Sequence, residues 1–195
     1  GELMLQAGRR EEAIALLETV LVEATQENIT WMWMTGKSIL AYAYYLNKDF
    51  KKAATYFSEF IQETEKRGVE TPSQYAIELY WAIKQERLPK ISEFSLEKML
   101  SKYIRGKNVF TKGIAYRYQA LLHKYNNFKP DKIIRSLDHS KKYLEESGYQ
   151  LEIAKTRLEL ARQYLIMGNE ERAREISHKA LKVYSTIEQE LIPEE

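Results

Sequence analysis

The sequence predicts an all-α superhelix of about five helix-turn-helix repeats, and three observations carry that prediction. Turn formers are scarce, with eight Gly and four Pro in 195 residues, while helix-favouring Ala, Leu, Glu, Lys, Gln and Arg fill most positions. Apolar side chains step by three and four along each segment, with no period-two alternation that would indicate strands. The segments that follow each expected turn resemble one another, and they open at Arg9, Lys48, Leu88, Phe128 and Asn169, intervals of 39, 40, 40 and 41 residues. A period near 40 holds two helices and their connections, and a unit of that size hides its apolar face only by stacking on a neighbour.

The elements follow in order. In the first repeat, 1–28, Leu3, Met4 and Leu5 read as the end of a helix that has lost its first turns, Gly8 as the break, and RREEAIALLETVL as the second helix. This abrupt start, with the tail Leu191 to Glu195, leads us to expect a fragment of a longer protein. The second repeat, 29–68, places Met32, Gly36, Ile39, Ala43 and Leu46 on its first helix and Phe50, Ala53, Phe57 and Phe60 on its second, separated by Asn47 to Asp49. The third, 69–106, opens after Gly68 with Thr71 as N-cap and Pro72 in the first helical turn, and Pro89 breaks the start of its second helix.

In the fourth repeat, 107–148, Asn126 and Asn127 separate the helices and Gly148 ends the unit. The fifth, 149–190, has the clearest pattern: Leu151, Ala154, Leu158, Ala161 and Leu165, then Ala173, Ile176, Ala180, Val183 and Ile187, with Gly168 between. Glycine or asparagine at these breaks suits the left-handed residue that ends a helix. The five repeats together read as one domain over 1–195.

Small residues on both helices of a pair let their axes approach, as Ala41 with Ala53 and Ala161 with Ala173. With Tyr44 and Phe57, and with Tyr164, Gly168 and Ala180, these residues resemble the tetratricopeptide (TPR) family. The second repeat departs at Phe60, where the family has a small residue; the first keeps Gly8, Ala13 and Leu17; the fourth carries Ile133, Leu137 and Ser140 instead of the small-large-small set. The resemblance implies a right-handed superhelix, an α-solenoid whose first helices line the concave face. A repeat longer than the common 34-residue unit is similar to the extended repeats of MalT-type multidomain bacterial transcriptional regulators, and IAKTRLELARQYLIMGNEERAREISHKA (153–180) carries that similarity best. In such proteins the solenoid adjoins an ATPase or DNA-binding domain and receives a signal.

Composition excludes several classes of function. With 30 basic and 28 acidic residues spread along the chain, the net charge of +2 gives no field that implies nucleic acid or anionic lipid as a partner. No apolar run reaches the roughly 18 residues of a membrane helix. Absence of cysteine rules out disulfides and thiolate metal sites and fits the cytoplasm.

Motifs for chemistry are weak. MTGKS at Met34 to Ser38 ends like a phosphate-binding loop, but Trp31 stands where the loop needs glycine, and the segment reads as helix. His123, His139 and His178 lack a zinc-site spacing, and the acidic pairs Glu11–Glu12, Glu145–Glu146 and Glu170–Glu171 fall in terminal helix turns amid Lys and Arg. No catalytic residue, metal ligand or cofactor is expected, and the chain is not expected to be an enzyme.

The 14 Tyr and three Trp concentrate on first helices, as core or as a binding surface. The family's inward-facing positions fall on Ser38, Tyr42 and Tyr45 in the second repeat, Trp81 and Lys84 in the third, Arg117, Lys124 and Tyr125 in the fourth, and Lys155 and Arg162 in the fifth. A groove of Tyr, Trp, Arg and Lys suits a protein or peptide segment with acidic groups, or a small polar ligand. The expectation is a non-catalytic binding and signal-receiving module. The rival is a passive assembly scaffold contacting its partner through the convex face or the solenoid ends, where self-association can also occur.

Overall fold

The computed structural model describes residues 4–5, 7–67, 73–91 and 95–191. Gly68, Thr71 and Pro72, expected to form the junction before the third repeat, lie outside them. After helical Met4 and Leu5, the described residues form nine α-helices and no strand: α1 (Arg10–Gln26), α2 (Thr30–Leu46), α3 (Phe50–Arg67), α4 (Gln74–Lys84), α5 (Leu96–Arg105), α6 (Val109–Tyr125), α7 (Pro130–Ser147), α8 (Gln150–Ile166) and α9 (Glu170–Leu191). The chain divides into two compact units, Gly1–Leu96 and Glu97–Glu195.

Six helix ends, the one before α1 and those of α1, α2, α4, α6 and α8, close in one recurring way. Gly8, Asn28, Lys48, Glu86, Asn127 and Gly168 all take positive φ, and the first three recur at intervals of 20 residues. Around each, the next residue's N–H donates to the carbonyl five residues back: Ile29 to Ala24 at 2.9 Å, Asp49 to Tyr44 at 3.0 Å, Phe128 to His123 at 2.9 Å and Asn169 to Tyr164 at 2.9 Å. This is a Schellman closure, which satisfies carbonyls orphaned at a helix end. Glycine suits the left-handed position, yet Lys48 takes it rather than the neighbouring Asn47, and Glu86 takes it after α4. The following helix is then capped from its own sequence: Asp49 Oδ1 accepts from Lys52 N–H, Asn108 Oδ1 from Thr111 and Asn169 Oδ1 from Arg172, each at 3.1 Å. Ser73 caps α4 by accepting from Ala76 N–H at 3.4 Å.

In unit 1, α2 packs against both α1 and α3, and α4 returns onto α2. The expected small residues Ala41 and Ala53 are fully buried, and Tyr44, Phe57 and Phe60 are buried on the same two helices. Unit 2 pairs α6 with α7 and α8 with α9, and α7 also meets α8. Its core includes Ala120, Ile133, Leu137 and Leu160, with Ile134, Tyr164 and Ile176 against it. Pro89 falls after α4, and the next helix among the described residues is Leu96–Arg105, so the second helix of the third repeat starts eight residues after Leu88, where its segment opens. A proline lacks the N–H that a helix interior needs.

Two helical glycines mark close approaches of different kinds. A Cβ on Gly36 would meet the tip of Leu21 at 2.9 Å, whereas one on Gly113 would meet Leu144 Cγ at 2.6 Å and its backbone N at 3.1 Å. A side-chain tip can turn away and a helix backbone cannot. Gly113→Ala is therefore expected to overpack unit 2 by roughly 1–3 kcal/mol, offset by at most about 1 kcal/mol of helix propensity. Gly36→Ala should leave the thermal midpoint nearly unchanged, and circular dichroism melts of the two variants test the contrast.

Candidate functional site

The residues expected on the first-helix face fall in both units. In unit 1, Ser38 does not line an open surface: it is 1% exposed. Its hydroxyl donates to the Thr35 carbonyl at 2.9 Å and accepts from the Ser73 hydroxyl at 3.1 Å, fastening α2 to the start of α4. Tyr42 and Tyr45 are half-buried, and their ring centroids lie 6.2 Å apart. Tyr42 also packs on Tyr75 of α4 at 5.1 Å, and Tyr45 on Phe50 of α3 at 6.0 Å. The result is a row of four rings, Phe50, Tyr45, Tyr42 and Tyr75, drawn from three helices. Such a row offers flat apolar faces with hydroxyls at the edge. Trp81 and Lys84 are half-buried on α4.

In unit 2, Arg117 likewise departs from expectation, being only 4% exposed. Its Nη1 donates to the Glu152 carbonyl at 3.3 Å, and Nη2 lies 2.6 Å from Glu152 Oε2. Lys155 Nζ holds Oε1 of the same carboxylate at 2.6 Å. Burial alone would raise the Glu152 pKa, but the charges of Arg117 and Lys155 and their hydrogen bonds outweigh it and hold the carboxyl below its ordinary value. Tyr184 on α9 shifts upward, through burial first and then the Glu152 charge.

Arg162 is exposed and paired with Glu159, one turn earlier. Lys124 and Tyr125 are exposed at the end of α6. The expected cationic groove is thus largely neutralised within unit 2, because Arg117, Lys155 and Arg162 each face a carboxylate of the same unit.

Ser38 with Ser73 and Arg117 with Glu152 are both 35 residues apart. The same junction between successive first helices is joined by hydroxyls in one unit and by charges in the other. Glu152 escaped the sequence reading, since a partner 35 residues away is invisible to a helical period, and Phe50 was read only as an apolar position of a second helix. The internal repeat was the signal that could have found Glu152.

Of the other sequence features, Met34 to Ser38 lies inside α2, where Gly36 packs on Leu21. His123 is half-buried, 3.3 Å from the Ser136 hydroxyl, and its pKa is lowered by burial and then by the Lys132 charge. His139 stacks on Tyr116 at 5.0 Å, and His178 is exposed on α9. Among the described residues, no helix is long and apolar enough to cross a membrane.

No protein-family model and no curated protein matches the chain. Among solved structures it is similar to BtubC (BKLC) from P. vanneervenii, with a TM-score of 0.60 and 16% identity over 100% of this chain and 80% of that one. The likeness is one of fold, and with an all-helical chain of this period it fits a helical repeat protein.

Proposed function

We propose that the chain is a tetratricopeptide-like solenoid that works as a non-catalytic binding module, receiving a protein or peptide segment on the first-helix face of unit 1. The row Phe50, Tyr45, Tyr42 and Tyr75 carries this reading. Core rings are buried on all sides, as Tyr44 and Tyr80 are, whereas Phe50 is 43% exposed and the tyrosines of the row are half-exposed. Rigid aromatic faces give contact area at low entropic cost, which is why they dominate binding hot spots. Because the row consists of four rings and no charged side chain, the preferred segment is one with apolar or proline side chains to lie across the rings, rather than one chosen mainly for acidic groups. In a MalT-type regulator of the cytoplasm, such a face is the signal-receiving region.

A peptide panel read by thermal shift tests this, since a ligand of the folded state raises the midpoint according to its concentration over Kd. Binding should weaken about tenfold in Tyr42→Ala, a typical hot-spot loss, while Lys179→Ala on α9 leaves it unchanged. A peptide whose affinity ignores Tyr42 would remove the ring row from the proposal.

A second reading, an assembly scaffold, rests on a separate observation. Leu165, Ile166 and Met167 are consecutive and 55%, 64% and 48% exposed where α8 turns into α9. Adjacent exposed apolar side chains suit a protein contact. Leu165→Asp with Ile166→Asp should abolish partner retention on this reading and spare peptide binding at the rings.

A further inference from the structure

A cavity of about 480 Å³ opens on unit 1 between α1, α2 and α3. It lies on a different side of α2 from the ring row, since Lys37 and Tyr42 are five residues apart, about 140° around the helix. Trp33, Tyr56 and Val22 line it, and Glu18 and Lys37 supply its charges. Lys37 Nζ sits 5.0 Å from the Trp33 ring centroid and 4.6 Å from that of Tyr56. Two electron-rich ring faces therefore already hold an ammonium, the arrangement by which aromatic walls bind cations.

Among the described residues, the carboxylate that lines the cavity has no ion pair of its own. Lys37 has its own counter-ion in Glu59, whose side chain is 44% exposed. Glu18 accepts a hydrogen bond from the Tyr44 hydroxyl at 2.5 Å, and no Lys or Arg forms an ion pair with it among the described residues. Lys52 meets Glu18 only through Tyr44: it lies over that ring at 4.7 Å and donates at 3.3 Å to the hydroxyl from which Glu18 accepts. The Tyr44 hydroxyl is pushed upward in pKa by burial, then by its bond to Glu18 and the charge there. Aromatic walls thus hold one ammonium, and the cavity's own carboxylate is linked to a second only through a tyrosine hydroxyl.

We propose that this cavity binds an alkylammonium group from outside the chain, either a lysine side chain or a small methylated amine. The guest takes the place of Lys37 between Trp33 and Tyr56, with Glu18 as its counter-ion. Lys37 swings out on its flexible stem and keeps its pair with Glu59 in solvent. An anionic guest would instead meet Glu18 uncompensated. The site is independent of the ring row, so peptide binding there can fail without affecting this assignment.

The test follows the Trp33 indole N–H by two-dimensional NMR of the full 195-residue chain, its signal assigned with Trp33→Phe. Tetramethylammonium chloride and acetyl-Gly-Lys-Gly-amide are titrated separately, against sodium chloride at matched ionic strength. A saturable shift is expected with the organic cations only. Lys37→Met removes the internal competitor and should tighten binding about tenfold, and Glu18→Gln keeps an acceptor for Tyr44 but loses the charge and should weaken it about tenfold. Tighter binding of the peptide identifies a lysine of a partner chain, and tighter binding of tetramethylammonium a free amine. A Trp33 signal in Lys37→Met that moves no more with tetramethylammonium than with sodium overturns the proposal, as does affinity unaltered by Glu18→Gln.

Discussion

Replacing Arg117 with methionine should remove about 3–5 kcal/mol from unit 2, because it leaves the Glu152 carboxylate buried with only Lys155 to oppose it. Methionine fills much of the same volume, so the loss measures the unpaired charge rather than a void. The double variant Arg117→Met with Glu152→Met should recover most of the stability, since an apolar pair of similar size bears no desolvation cost. Urea unfolding of the two variants, with hydrogen exchange followed at α6 and α8 amides, separates these outcomes. If both variants are equally destabilised, packing rather than charge governs the junction.

The same carboxylate sets a pH dependence. Its folded pKa lies below the ordinary 4.5, so the unfolded chain binds the proton more readily. The stability it contributes is fully present above about 4.5, and it is lost as pH falls through the lower folded value. An acid titration of the wild type should show this loss at α6 and α8, and the double methionine variant should lack it.

Phe57→Ala should cost unit 1 a comparable amount, about 3–5 kcal/mol. Phe57 is fully buried, its ring 4.7 Å from Tyr80 edge-on and 6.2 Å from Phe60, so it joins α3 to α4 at their centre. Truncation leaves a cavity that two large neighbours cannot collapse to fill, and Phe57→Leu should cost clearly less. Because α4 also carries Tyr75, Trp81 and Lys84, the alanine variant should lose the near-ultraviolet circular dichroism of these rings at lower urea than the wild type. A wild-type midpoint would show that α4 is seated by contacts other than Phe57.

How much of this was legible in the sequence depends on the range of the interaction. Ala41, Ala53, Ala161 and Ala173 could be placed at helix contacts because a helical period and a 40-residue repeat are both local, and each is buried. The turns were legible where Gly8, Gly148 and Gly168 stood, and less so at Lys48 and Glu86, where backbone hydrogen bonds hold an unfavoured residue in the left-handed region. Ser38 and Arg117 were misplaced for a different reason. Polar side chains at a helix junction look solvent-facing until their partners are known, and Ser73 and Glu152 belong to the next repeat. The ring row was half visible: Tyr42 and Tyr45 follow from register, but their meeting with Phe50 and Tyr75 required the neighbouring helices.

The turns also bear on how such a chain can vary. Each reversal at Gly8, Asn28, Lys48, Glu86, Asn127 and Gly168 is closed by main-chain atoms within six residues and asks of the sequence little beyond one left-handed position. A corner that depends so little on side chains can be copied unchanged, and a chain whose corners are alike can gain or lose a hairpin without a new corner having to be invented. Side-chain identity is then free to diverge along the helices, as the serine and arginine junctions of the two units already have.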